Sequence, residues 1–488
     1  MKPDPHVFVV IGATGDLTSR KLIPALHTLV AHDDGETYVV GAATTVQDDA
    51  AFRATGVEAL ARTGVDRASA ESWAADHLYY VPVPAEGGYD PLARRVEQIE
   101  RDHGLAGNRV IYLALPPAAF PAAIAAVGAA GLQGGPGWTR LVVEKPFGSD
   151  LGSARLLNEV VHAHFAEDEV YRIDHYLGKE TVRNLLVFRF TNTLFESSWN
   201  RDRIERVEIT VAESLGVGRR GRYYDSAGVI RDMIQSHITQ LLTLVAMEAP
   251  PAFDATAIRD EKVKVLRSIR SIPAEAYVLG QYGDGVVEGS AVRGYRTLPG
   301  VADGSSTPTY AAVRVWIDNW RWQGVPFLLR TGKGLARRVT EIAVTFRRPP
   351  VCLYHRVPDG CVGHSDVLYL TIQPDEGFSL EIDVKEPGDI DAVRTIPLHF
   401  SYSEAFGDIP DAYETLIADV LEGDQTLFVR ADEVEESWRL YTPALGYELP
   451  VHPYPAGTWG PDQSAALLAA DSDRWATGDD GEDAHRGR

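Results

Sequence analysis

Residues 7–11, VFVVI, run directly into the turn Gly12-Ala13-Thr14-Gly15-Asp16-Leu17 and then into an amphipathic stretch from about Thr18 to Val30. A short apolar β-rich run, a glycine turn and a helical period in that order predict strand, tight turn and helix. No other feature constrains the fold as strongly, because the alternation repeats. A run at Tyr38–Gly41, helical stretches near 49–64 and 90–103, a strand at Arg109–Ala114, an Ala-rich helix at 118–130 and a strand at Arg140–Val143 follow. That order predicts an α/β domain with a doubly wound parallel sheet, ligands meeting it at the carboxyl ends of its strands.

After about residue 175 the period changes to two. Arg206–Val211, Ala311–Asp318, Val325–Arg330 and Glu341–Phe346 alternate, and 367–373 with 378–384, joined by PDEG, read as a hairpin. With a long amphipathic helix over Ser226–Met247, these runs predict an α+β domain built on a large, mainly antiparallel sheet. The expected boundaries are 1–175 for the first domain, 176–476 for the second and 477–488 for a disordered tail, TGDDGEDAHRGR, whose composition buries almost nothing.

Charge narrows the partners. With 69 acidic against 47 basic residues the formal net charge is −22, and no run of Lys and Arg concentrates a basic patch, so nucleic acid is not an expected partner. No apolar stretch of spanning length occurs and no charged, then apolar, leader opens the chain, so the expected site of action is the cytoplasm, away from a membrane. Only eight of the 47 basic residues are lysine, which draws attention to lysines inside motifs.

Six motifs carry chemistry, each with a plainer alternative. GATGDL (12–17) feeds a helix N-terminus, where a pyrophosphate is favoured; it can also be an ordinary turn. EKPFG (144–148) ends a strand with Lys145 within reach of a cofactor or substrate, and a cis Pro146 would fix the turn; alternatively the lysine is merely solvated. In RIDHYLGKE (172–180), a helix starting near Asp174 would place His175 and Lys179 on one face beside Tyr176, a cradle for a phosphate monoester; otherwise Asp174 only caps that helix. In RDMIQSHITQ, five residues of α-helix leave Asp232 and His237 about 140° apart, able to flank one site at most; by local pattern alone the preferred reading of His237 is a satisfied core or surface histidine. GVPFLLRTGKG presents Lys333 on a glycine turn, with Arg338 five residues on, both able to bond sugar hydroxyls or an anion; by pattern alone a solvated turn lysine is the preferred reading. Finally Cys352, His355, Cys361 and His364 have a C-x2-H-x5-C-x2-H spacing; free thiols are the preferred reading over zinc, and no metal is expected.

Taken together, GATGDLTSRK, VVEKPFG, RIDHYLGKE, AESLGV, YYDSAGVIRDMIQSHITQ and VPFLLRTGKG, in this order, resemble the glucose-6-phosphate dehydrogenase family over nearly the whole chain. The resemblance implies a Rossmann-type first domain and oxidation of D-glucose 6-phosphate at C1 to the 1,5-lactone, the first step of the oxidative pentose phosphate pathway. It implies His237 as general base and Asp174 as its orienting acid, a role suited to a histidine pKa of about 6.5. His175, Tyr176 and Lys179 would bind the 6-phosphate; Glu213, Asp232, Lys333 and Arg338 would hold sugar hydroxyls; Lys145 would touch both ligands. Gly12, Ala13, Thr14, Gly15, Asp16, Leu17, Lys21 and Thr44 would line the cofactor. Arg338 stands where many members have lysine. After the second strand the family reads G-x-A-R, whereas Gly41 is followed here by Ala42, Ala43 and Thr44, so the arginine that clasps the 2′-phosphate of NADP is missing and the cofactor is NADP or NAD. A homodimer or homotetramer through the large sheet is also implied. The competing readings are a catalytically silent paralogue and a dehydrogenase of another hexose 6-phosphate.

Overall fold

The computed structural model describes residues 3–33, 36–85, 88–351, 364–388, 393–407, 409–468 and 474–477. Cys352, His355 and Cys361 lie outside them; His364 is described, and its ring lies 3.6 Å from Asp383.

The β-α alternation builds a six-stranded parallel sheet from β1 (His6–Ile11), β2 (Thr37–Ala43), β3 (Leu78–Pro82), β4 (Arg109–Leu113), β5 (Thr139–Glu144) and β6 (Val170–Ile173). Their order, β3-β2-β1-β4-β5-β6, is the doubly wound one. Every residue of β1 and β4 is buried, as expected of central strands covered on both faces by crossover helices. Two strands escape the sequence pattern: β3 follows the helix Arg67–His77 without a break, and β6 has only four residues.

The second unit holds β7 (Ile204–Ala212), β8 (Tyr277–Gly283), the small hairpin β9 (Gly285–Val287) and β10 (Ser290–Val292), then β11 (Tyr310–Trp316), β12 (Pro326–Gly332), β13 (Val339–Phe346), β14 (Val367–Gln373), β15 (Gly377–Lys385), β16 (Val393–Ser401) and β17 (Val451–Pro455), of which β7 and β11 to β15 are the period-two runs read from the sequence. Nine of them make one sheet, ordered β16-β15-β14-β13-β7-β12-β11-β8-β17. Its pairings are antiparallel except β7 with β12 and β8 with β17. The predicted hairpin is β14–β15.

Three sequence expectations change. The chain divides into two compact units, 1–179 with 250–260 and 410–435, and 180–249 with 261–409 and 436–488, instead of splitting once near 175. The reason is apolar: Leu416, Ile417, Val420, Leu421 and Phe428 pack with Phe8, Val10, Tyr171 and Ile173 in one core, and the Val429 amide donates to the Arg172 carbonyl on edge strand β6. The helix expected over Ser226–Met247 is interrupted, since Gly228 turns out of helical geometry (φ 66°, ψ 170°) and Ile230–Ile238 winds as a π-helix before the α-helix Thr239–Ala246. Thr477, placed at the start of the tail by composition, is only 1% exposed, and the rest of that expected tail, 478–488, lies outside the described residues.

Candidate active site

In the first unit the glycine turn caps β1. Gly12 has φ +96°, and a Cβ there would stand 2.3 Å from the Ala114 carbonyl oxygen, so only glycine fits. The Gly12 amide donates to Ala42 O at 2.7 Å, and the Gly15 amide to Gly12 O at 3.0 Å, closing the turn before the helical run begins at Asp16. A helix start approached by bare glycine backbone suits a pyrophosphate, so these residues fit a dinucleotide. Thr44 and Thr45 are exposed just past β2, and the Thr45 hydroxyl donates to Thr14 Oγ1 at 3.4 Å. Arg20, in the same region, lies 4.0 Å from Asp16. Lys21 is held by a residue the motifs did not reveal: its Nζ donates to Asp411 at 2.7 Å, and Asp411 also caps the helix Ala412–Glu422 by accepting from the Tyr413 amide.

Beyond β5 stand Glu144, Lys145 and a cis peptide to Pro146. The Glu144 carboxylate accepts from the hydroxyls of Tyr112 and Tyr413, the latter at 3.2 Å. Burial holds Glu144 above the usual carboxylate range and, with Glu144 beside it, raises Tyr112 well above the usual phenol value. Register pairs Glu144 with Ile173, so Asp174 leaves the sheet edge one residue later on the neighbouring strand.

Asp174–Lys179 is a turn, not the start of a helix; the helix begins at Glu180. Asp174 accepts from the Tyr176 amide at 3.0 Å, while the Leu177 amide donates to Asp174 O and the Lys179 amide to Tyr176 O. Gly178 has no room for a side chain, a Cβ there lying 2.6 Å from Ala412 O and from Leu416. The local bonds of aspartate outcompete helix here. The turn nonetheless gathers the expected trio: the His175 and Tyr176 rings meet edge to face at 5.0 Å, and Lys179 Nζ lies 5.9 Å from the Tyr176 ring centre.

In the second unit, parallel strands β7 and β12 end side by side and hand over to Glu213 and Lys333. Lys333 donates to the Glu213 carboxylate, lies 3.6 Å from Asp232 and 5.6 Å from the Tyr224 ring centre, while its carbonyl accepts from Tyr454 OH. Glu213, Asp232 and Lys333 therefore form one cluster, with Tyr224 an addition that sequence spacing does not reveal. Arg338, just before β13, donates to Gln373 at 3.1 Å. Asp232 and His237 both lie in the π-helical segment. An i→i+5 winding aligns residues five apart, which removes most of the separation an α-helix would impose. His237 is 1% exposed.

Two family models match: glucose-6-phosphate dehydrogenase, NAD binding domain, over residues 9–184, and its C-terminal domain over 186–476. Curated relatives named glucose-6-phosphate 1-dehydrogenase include those of Aggregatibacter actinomycetemcomitans, 42% identical over 97% of this chain and 98% of its own, and Mycolicibacterium smegmatis, 44% identical over 97% and 98%. A solved glucose-6-phosphate dehydrogenase in complex with its substrate glucose-6-phosphate superposes with TM-score 0.89 at 37% identity, covering 98% of this chain and 99% of that one. The Mycobacterium avium enzyme gives 0.86 at 34%, covering 99% and 100%. The chain belongs to the glucose-6-phosphate dehydrogenase family.

Proposed function

We propose that this chain oxidises D-glucose 6-phosphate at C1 to 6-phospho-D-glucono-1,5-lactone. The observation that carries the reading is the family match along both domains. Gly12–Leu17 and Lys21 hold the dinucleotide, with Lys145 next to it. When bound, the nicotinamide supplies the hydride acceptor. His175, Tyr176 and Lys179 hold the 6-phosphate, and Glu213, Asp232, Lys333 and Arg338 hold sugar hydroxyls. His237 takes the C1 hydroxyl proton, and Asp174 orients the ring and stabilises the imidazolium.

The cofactor reading is dual use of NAD and NADP. Support comes from the residues beyond β2: Thr44 and Thr45 offer hydroxyls in place of a guanidinium, so a 2′-phosphate gains no charge-assisted bidentate contact there, and neither repels it. The chain works in the cytoplasm as a homodimer or homotetramer through the large sheet; exposed Ile396 and Leu398 on β16 and nearby Phe406 support the assembly.

Initial rates with glucose 6-phosphate, titrating NAD and NADP separately, test both points. The expectation is turnover with each, kcat/KM within about tenfold, and a Thr44→Arg variant shifted towards NADP by about tenfold or more. His237→Asn should lower kcat by about 10²- to 10⁴-fold with Tm unchanged. No turnover with either nucleotide would overturn the reading, and a hundredfold NADP preference would overturn its cofactor part alone.

A further inference from the structure

Four central strands of the large sheet carry a row of polar side chains where apolar ones normally sit. Register sets Arg330 of β12 opposite Thr210 of β7, Thr210 opposite Glu341 of β13, and Glu341 opposite Thr371 of β14. All four are buried, and Thr210 and Glu341 have no exposed surface. Two residues back along β7, on the same face, Glu208 is fully buried too. Burial pushes its carboxyl up, partly offset by Arg206, the Ala476 amide and Arg330. Groups like these cost several kcal/mol to bury unless each is bonded.

Within the sheet Arg206 donates to Glu208 at 2.8 Å and the Thr371 hydroxyl to Glu341 at 3.0 Å, and the remaining bonds come from the last described residues. The Ala476 amide donates to Glu208 at 2.8 Å and the Thr477 hydroxyl to Glu341 at 2.8 Å. Arg206 donates to the Arg474 carbonyl at 3.2 Å, and Arg330 to that of Thr477. The Arg330 guanidinium also lies over two indoles, 4.4 Å from the Trp475 ring centre and 5.1 Å from that of Trp459. Arg474–Thr477 is thus a strap across β7, β12 and β13.

The position of the row gives the strap a consequence. Thr210 stands three residues before Glu213, Arg330 three before Lys333, and Glu341 three after Arg338. Because β7 and β12 are parallel and β13 runs against β7, all three residues emerge at one edge, about 10 Å from the row at roughly 3.3 Å per residue. We propose that Trp475 and Thr477 are positioning residues: by gripping the polar row they fix the three strands so that Glu213, Lys333 and Arg338 are already placed for the sugar. The proposal rests on the assignment of those three to sugar hydroxyls. It acts through the strands and assigns the strap no contact with substrate.

The test compares a chain ended after Asp480, which keeps the strap, with one ended after Asp473, which loses it. The first should retain full-length kinetics. The second should show KM for glucose 6-phosphate raised about tenfold, with KM for the dinucleotide changed less than about twofold. Where the shorter chain does not fold, Thr477→Val decides: it should raise KM for glucose 6-phosphate alone, and Thr477→Ser should restore it. An unchanged KM, or an equal rise for both substrates with a lower Tm, overturns the proposal. Glu213→Gln and Lys333→Gln are measured alongside. If they leave KM for glucose 6-phosphate unchanged, the sugar assignment itself is wrong; if they raise it and loss of the strap does not, only the strap proposal falls.

Discussion

The two sheets solve the same problem in opposite ways. In the parallel sheet the central strands β1 and β4 have no exposed residue and turn apolar after their first positions, His6 and Arg109, and its chemistry-bearing residues stand where strands end: Gly12 after β1, Glu144 and Lys145 at β5, Asp174 after β6. In the nine-stranded sheet, charged residues occupy strand middles, with Glu208, Arg330 and Glu341 among its buried side chains. An apolar strand needs only neighbours of suitable shape, whereas a buried carboxylate or guanidinium needs particular partners at particular atoms. The first arrangement tolerates exchange along its interior. The second depends on the strap Arg474–Thr477, far along the chain.

Substitutions can sharpen or break this contrast. The largest effect is expected at Arg330→Met, which removes the donor to the Thr477 carbonyl and a positive charge felt by buried Glu208, and should cost about 3 to 5 kcal/mol in denaturant unfolding. A cost below about 1 kcal/mol would show that the polar row is as replaceable as an apolar core. Next comes Glu167, which fastens the returning 410–435 segment to the parallel-sheet unit by accepting from Arg172 at 2.6 Å and from the Ala431 amide at 2.9 Å. Burial opposes its ionisation, but Arg172, His162 and that amide hold its carboxyl below the ordinary value of 4.5. A depressed folded-state pKa means the stabilisation is complete above pH 4.5 and is lost as pH falls through the lower folded value. Glu167→Gln should therefore cost about 2 kcal/mol at pH 7. The difference from the parent should disappear in acid, and one that persists unchanged there would contradict the charge argument. Smallest is Ile111→Val in β4, fully buried, for which about 1 kcal/mol and unaltered KM values are expected. A change in KM there would break the separation between strand interior and strand end.

Much of the first unit was legible because its signals are local. The glycine turn, the alternation and the Asp174–Lys179 motif each lie within a short window, and their physics is that of neighbouring residues. The motif's conformation was not legible, since whether Asp174 starts a helix or bonds its own turn depends on Gly178 being pressed against Ala412 and Leu416, over 230 residues away. Longer separations still hide Asp411 beside Lys21 and Tyr413 beside Glu144. Likewise the α-helical angle assumed between Asp232 and His237 fails because the segment winds as a π-helix, which apolar periodicity alone does not distinguish.

The sequence by itself determined the alternating architecture of the first unit, six strands of the second and the motifs that carry the candidate acid-base and phosphate-binding residues, because periodicity, turns and residue chemistry are properties of a few consecutive positions. Tertiary structure decided which charges neutralise one another, where the turn replaces the helix, and that Thr477, read as the start of a tail, is buried at the end of a strap. Those outcomes turn on the cost of leaving a buried polar atom unbonded, and that cost is settled only when distant segments meet.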